Sequence, residues 1–181
     1  MFPAPPGAIS RRAGFTLLEL LAVVGIIAVL SGLVLGVGRR AVESGKIARA
    51  RGELTMLAAS LETYRRSYGD YPQTDDEARL LQSLLGRRGP LNHVLAGPVF
   101  IEAAKFTTAG SLDPFADDSA VLVDPWGQPY VYAYKSQTPW DNPGFVLYSI
   151  GPDGADAPAL LTGGLVDSAP PANADNLCAN Q

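Results

Sequence analysis

Apolar positions fall into three regimes along the chain. From Phe15 to Gly38 the sequence FTLLELLAVVGIIAVLSGLVLGVG is apolar on every side and carries one charge, Glu19. As a helix this run of about 24 residues extends roughly 36 Å, enough to cross the hydrocarbon core of a bilayer. Beyond Arg40 the pattern becomes one-sided: Ile47, Leu54, Leu57, Ala58, Leu61, Tyr64 and Tyr68 recur at three/four spacing, with Arg49, Arg51, Glu53, Glu62, Arg65 and Arg66 on other faces. The two stretches read as one helix from about Phe15 to Tyr68, roughly 80 Å long. Gly69-Asp70-Tyr71-Pro72 ends it, because glycine terminates helices readily and the residue before proline avoids helical geometry.

The third regime is short and irregular. Thr74-Asp75-Asp76-Glu77 fits a capping box, and Ala78, Leu80, Leu81, Leu84 and Leu85 give a second, short helix an apolar face that should pack near the first. Between 86 and 120, Gly89-Pro90 and Gly97-Pro98 break the chain, Val99-Phe100-Ile101 is a candidate buried segment, and 113–119 reads as loop. Asp124-Pro125-Trp126-Gly127-Gln128-Pro129-Tyr130 is a rigid aromatic turn. Alternating Tyr130, Tyr132 and Tyr134 follow, then a loop at 139–144, then Phe145-Val146-Leu147-Tyr148-Ser149, an antiparallel pair with Val121-Leu122-Val123 as an expected third strand.

Composition narrows the function classes. At 181 residues, 47% hydrophobic and 18% charged, the chain is too apolar for a disordered protein and has room for about one domain plus an appendage. Its formal charge of -4 argues against nucleic acid as a partner, and the balance is uneven: residues 1–88 carry 12 Lys and Arg against 8 Asp and Glu, residues 89–181 carry 2 against 10. One cysteine, Cys178, permits neither an internal disulfide nor a cysteine cluster for zinc. His93, the single histidine, stands in no nucleophile motif, and Gly151-Pro152-Asp153-Gly154 lacks the Lys-Ser/Thr of a phosphate loop. An enzyme is therefore not the expected class.

Arg11 and Arg12 precede the apolar run, but that run exceeds the roughly 7–15 residues of a secretory signal's apolar region and ends in Gly38-Arg39-Arg40, as expected of an uncleaved span. The basic residues after the span outnumber those before it, which by charge alone would leave the carboxyl side in the cytoplasm. Glu19 costs on the order of 2.5–3.5 kcal/mol at mid-membrane, less near an end. It has two readings: an acid near the interface, gaining from the helix dipole, or the partner of a cation. A cut between Gly14 and Phe15 would supply that cation, placing a new α-amine one helical turn before Glu19 or beside the Glu19 of a neighbouring copy.

A short leader with Arg11-Arg12, ending in Gly14 and followed by Phe15-Thr16-Leu17-Leu18-Glu19, resembles the processing site of type IV prepilins and type II secretion pseudopilins. The resemblance implies a prepilin peptidase that cuts after Gly14 and methylates the amine of Phe15, with Glu19 serving filament assembly. It also implies a cytoplasmic leader, an inner-membrane helix and a periplasmic carboxyl domain, against the charge count. Gly36 stands where many family members have proline, and Gly32 and Gly36 form a small-xxx-small pair suited to close helix packing. The DPWGxPY run and Ser149-Ile150-Gly151-Pro152-Asp153-Gly154 resemble the carboxyl domain of major pseudopilins.

The carboxyl-terminal acids have two readings as well. Asp153, Asp156, Asp167 and Asp175, interspersed with Gly and Asn, are either solvated loop residues or hard-oxygen ligands for calcium, which takes six to eight oxygens. The family resemblance implies a calcium ion held by the backbone carbonyl of Ile150 and by Asp153, with Asn173-Ala174-Asp175-Asn176 matching the family's terminal acidic segment. The intervening 155–172 is longer and more apolar than that pattern.

The expected fold is α+β: a long N-terminal helix, membrane-spanning in its first half and amphipathic in its second, packed on a small antiparallel sheet with a loop-rich tail. Its expected divisions are a leader at 1–14, an assembly helix at 15–38, a stem at 39–72 and a globular domain at 73–181. The resemblance implies a structural subunit of a type II secretion-like pseudopilus, assembling with copies of itself, other pseudopilins and an inner-membrane machinery. The alternatives are a pilin for adhesion or DNA uptake and a membrane-anchored periplasmic enzyme.

Overall fold

The computed structural model describes residues 15–157 and 160–179, without the side chains of 33–39, 160 and 161. Gly14 and the rest of the leader lie outside the described residues. Helix α1 spans Leu17–Tyr68 as expected and passes through two compact units, Met1–Val42 and Glu43–Gln181. In the first unit the described side chains of 15–32 are exposed on every side. No helix among the described residues is long and apolar enough to cross a membrane, and the expected span at 15–38 runs into 33–39.

In the second unit α1 is amphipathic, as its spacing requires. Leu54, Leu57, Leu61 and Tyr64 are buried, and burial of each leucine stabilises the fold by about 1.5–3 kcal/mol. Gly69, at φ 84°, ends the helix, its N–H bonded to the carbonyl of Arg65 at 2.7 Å. Helix α2, Glu77–Leu84, packs Leu80, Leu81 and Leu84 into the same core.

The start of α2 differs from the capping box expected at Thr74. Its cap is Asp76, whose Oδ1 accepts the Arg79 N–H at 2.9 Å. Thr74 cannot serve, because its carbonyl accepts the Tyr134 N–H at 3.1 Å and holds that residue in extended geometry beside the sheet.

The short strands β1 (Thr107–Thr108) and β2 (Leu122–Val123) form one antiparallel pair. β3 (Val131–Ala133) and β4 (Val146–Ser149) form another, extended by β7 (Leu177–Cys178) in the order β3-β4-β7. A separate hairpin joins β5 (Leu160–Leu161) to β6 (Leu165–Val166). The 121–123 segment is thus a strand but not the third strand of the expected sheet. The aromatic turn folds Tyr130 back so that its N–H reaches the Leu122 carbonyl at 3.1 Å, and the third place falls to the tail. Of the expected buried triplet, Ile101 is buried and Phe100 packs on the core, whereas Val99 is exposed.

Tyr130, Tyr132 and Tyr134 all point inward, and each hydroxyl finds an acceptor, as buried phenols require. Tyr130 donates to Glu53, Tyr132 to the Pro72 carbonyl and Tyr134 to Asp70. The stem, its terminal turn and β3 are thereby tied together.

Candidate functional site

At the amino end, Thr16 and Glu19 form a reciprocal cap. The Thr16 hydroxyl accepts the Glu19 N–H at 3.2 Å, and the Glu19 carboxylate accepts the Thr16 N–H at 3.4 Å. Glu19 is therefore already engaged in its own chain, through a T-x-x-E signature that was legible in the sequence but overshadowed by its charge. Phe15 precedes this cap and is 79% exposed, so its backbone nitrogen stands at the entrance to the helix. Gly14, on the other side of the expected cut, lies outside the described residues.

The carboxyl-terminal acids are placed by the register of β4 and β7. Tyr148 pairs with Cys178 and Ser149 with Leu177, and continuing that register sets Gly151 beside Asp175. Gly151 sits at φ 80°, and a Cβ there would lie 2.5 Å from the Asp175 carbonyl oxygen and 2.8 Å from its Oδ2. Only glycine fits so close an approach. The same Oδ2 accepts the Asp153 N–H at 3.3 Å, while Asp153 Oδ1 takes the Ala155 N–H at 2.8 Å. Asp153 and Asp175 thus face one small loop, next to Ile150.

The other two acids are held elsewhere. Asp156 accepts the Tyr148 hydroxyl at 2.9 Å and the Asn176 amide at 3.4 Å. Burial, then the hydrogen bond to Asp156, pushes the Tyr148 phenol well above its usual range, so it remains a donor. Asp167 caps its own turn through the Ala169 N–H, and its carbonyl receives the side chain of Asn173 at 2.7 Å. Among the described residues no three His, Cys, Asp or Glu side chains gather closely enough to hold a metal by themselves. Of the four acids only Asp153 and Asp175 share a loop, joined through the Asp153 N–H and the Asp175 carboxylate and not by two carboxylates converging on one point.

Behind this loop stands a relay that the sequence did not reveal. Asp124 is buried; its Oδ1 accepts the Trp126 and Gln128 N–H groups, and its Oδ2 accepts the Ser149 hydroxyl at 2.6 Å. The Ser149 oxygen in turn accepts the Gly151 N–H at 3.2 Å. Trp126 donates through Nε1 to Glu43 of α1 at 2.8 Å. The aromatic turn thus fixes the 150–153 loop to the stem. Its Asp-Pro-Trp-Gly spacing was readable, but its partners lie far away in sequence.

Residues 9–35 match the prokaryotic N-terminal methylation motif. The chain is 30% identical to the type II secretion system core protein G of Pseudomonas aeruginosa (strain PAO1), covering 81% of this chain and 87% of that protein. The chain belongs to the type II secretion major pseudopilin family. The core protein G of Escherichia coli (strain K12) is 29% identical over 81% of this chain and 86% of its own length. No solved structure matches this pseudopilin significantly. The methylation motif covers Gly14, Phe15 and Glu19, and the relatives extend the likeness across the globular unit.

Proposed function

We propose that the chain is a structural subunit of a type II secretion-like pseudopilus, processed by a prepilin peptidase and assembled through its amino-terminal helix to support protein export. The observation that carries this reading is the match to two core G proteins over 81% of the chain. An apolar helix exposed on every side supports it, since such a surface is stable only against lipid or against other copies of the same helix. The subunit is anchored in the inner membrane with its globular unit periplasmic, and then passes into the filament. Its role is assembly rather than catalysis. Mass spectrometry of the protein recovered from membranes should show a chain beginning at N-methylated Phe15. An intact Met1 terminus in cells with an active prepilin peptidase would refute the assignment.

Within this role we assign calcium to the 150–153 loop. Asp153 and Asp175 would hold it with the carbonyl of Ile150; Asp156 and Asp167 belong to the same acidic tail and act through Asn176 and Asn173. An ion there would supply positive charge to the Asp175 carboxylate where it meets the 150–153 loop at the Asp153 N–H, and would draw the Asp153 carboxylate to the same point.

A further inference from the structure

A groove of about 360 Å³ runs between α1 and β7, lined by Arg51, Leu54, Thr55, Asn176, Leu177 and Cys178, with Ala179 at its end. β7 is an edge strand, so the groove lies at the open side of the sheet. Among the described residues no carboxylate pairs with Arg51 at its rim, in contrast to Arg49, Arg65, Arg79 and Arg87. The groove is mostly polar: it offers the half-buried Leu177 and Cys178 as an apolar floor, Thr55 and Asn176 as polar walls, and one unpaired guanidinium among the described residues.

Elsewhere on the same unit a loop carries the matching features. In Asp113-Pro114-Phe115-Ala116-Asp117-Asp118 the Phe115 ring is 54% exposed between acids. The loop is rigid. Arg87 binds Asp118 at 2.8 Å and the Phe115 carbonyl, Gln82 donates to the Asp118 carbonyl at 2.5 Å, and Asp113 and Asp117 cap their own turns. Asp113 and Asp117 have no cationic partner among the described residues. A solvent-facing aromatic on a backbone already tied at several points is costly for a lone chain but favours binding, because less further ordering is needed.

We propose that the Phe115 loop of one copy seats in the α1–β7 groove of the next copy. Phe115 packs on Leu177 and Cys178, and the flanking acids meet Arg51. Loop and groove are different surfaces of one chain, so a contact the partner does not return to the same copy is heterologous and can propagate into a helical array. It matches the asymmetry of the sequence, in which acids outnumber bases ten to two beyond residue 88. The inference rests on the pseudopilus reading and specifies how copies meet within it.

The lone cysteine in the groove makes the contact measurable. Full-length protein carrying Ala116→Cys, which retains Phe115 and both acids, should give a ladder at multiples of the chain mass when assembled filaments are oxidised with copper phenanthroline. The ladder should vanish with Cys178→Ser and with Phe115→Ser, and most of it should be lost with Arg51→Glu. Filaments visible by electron microscopy that yield no ladder, a ladder indifferent to Cys178 or to Arg51, or a crosslink to a different protein would each overturn the contact while leaving the pseudopilus role intact. Failure of the unaltered chain to form filaments with its secretion machinery would overturn both.

Discussion

Glu53 shows how single residues decide this fold. It is 2% exposed, yet it bears a carboxylate that accepts the Tyr130 hydroxyl at 2.5 Å and the Arg49 guanidinium at 2.7 Å. Burial, then the bond to Glu53, drives the Tyr130 phenol far above its usual range. Glu53→Ala should therefore destabilise the fold by about 2 kcal/mol by leaving a buried donor unpaired, and Tyr130→Phe by about 1 kcal/mol, since Arg49 still serves the carboxylate. Thermal unfolding of the detergent-solubilised chain, followed by near-ultraviolet circular dichroism, checks the order; equal stability for Glu53→Ala and the parent would contradict it. The sequence placed Glu53 on a polar face of α1 because its period is helical. Its burial depends on a tyrosine 77 positions away, which no local pattern reports.

Among the elements, α1 and β3–β4 were the most legible, since a sustained period specifies helix or strand before any tertiary contact forms. Elements that rely on borrowed partners were not. The 121–123 strand chose β1 over β3, and 86–120 is held by Arg87, Arg88 and Gln82 through side-chain bonds with no periodic signature. Helix α1 also sharpens the question of Glu19, whose carboxylate closes a capping box as well as being the charge expected to serve assembly. Glu19→Gln retains an acceptor for the Thr16 N–H but removes the charge, whereas Glu19→Ala removes both. If the charge pairs with a Phe15 amine on a neighbour, both variants should be processed and both should assemble poorly. Normal filament yield from Glu19→Gln would leave Glu19 with its cap alone.

At the scale of the whole molecule, the acidic tail is the part on which sequence and structure had to be combined. The acids were visible at once, but only the β4–β7 register brings Asp175 to Gly151 while sending Asp156 to Tyr148 and Asp167 to Asn173. If Asp153 and Asp175 share a calcium ion, calcium should stabilise the fold by RT ln(1 + [L]/Kd), so that the melting temperature rises with calcium and falls on chelation, and Asp153→Ala should abolish the response. A melting temperature indifferent to both chelator and millimolar calcium would return these acids to solvated loop residues.

The tail has a second fastening, unrelated to any ion. Trp140 bridges to Gly163 and crowds Gly164 so closely that a Cβ there would lie 2.5 Å from its ring, while the Asp141 and Asn142 N–H groups converge on the Gly163 carbonyl at 2.7 and 3.0 Å. That clasp divides the stretch between β4 and β7 into two loops of roughly a dozen residues each. Closing a loop costs about 0.6 kcal/mol more for each doubling of its length, so the division changes the order of events more than the total. With the hairpin clasped, Asp175 is tethered about a dozen residues from a fixed point, which raises the effective concentration at which it meets Gly151.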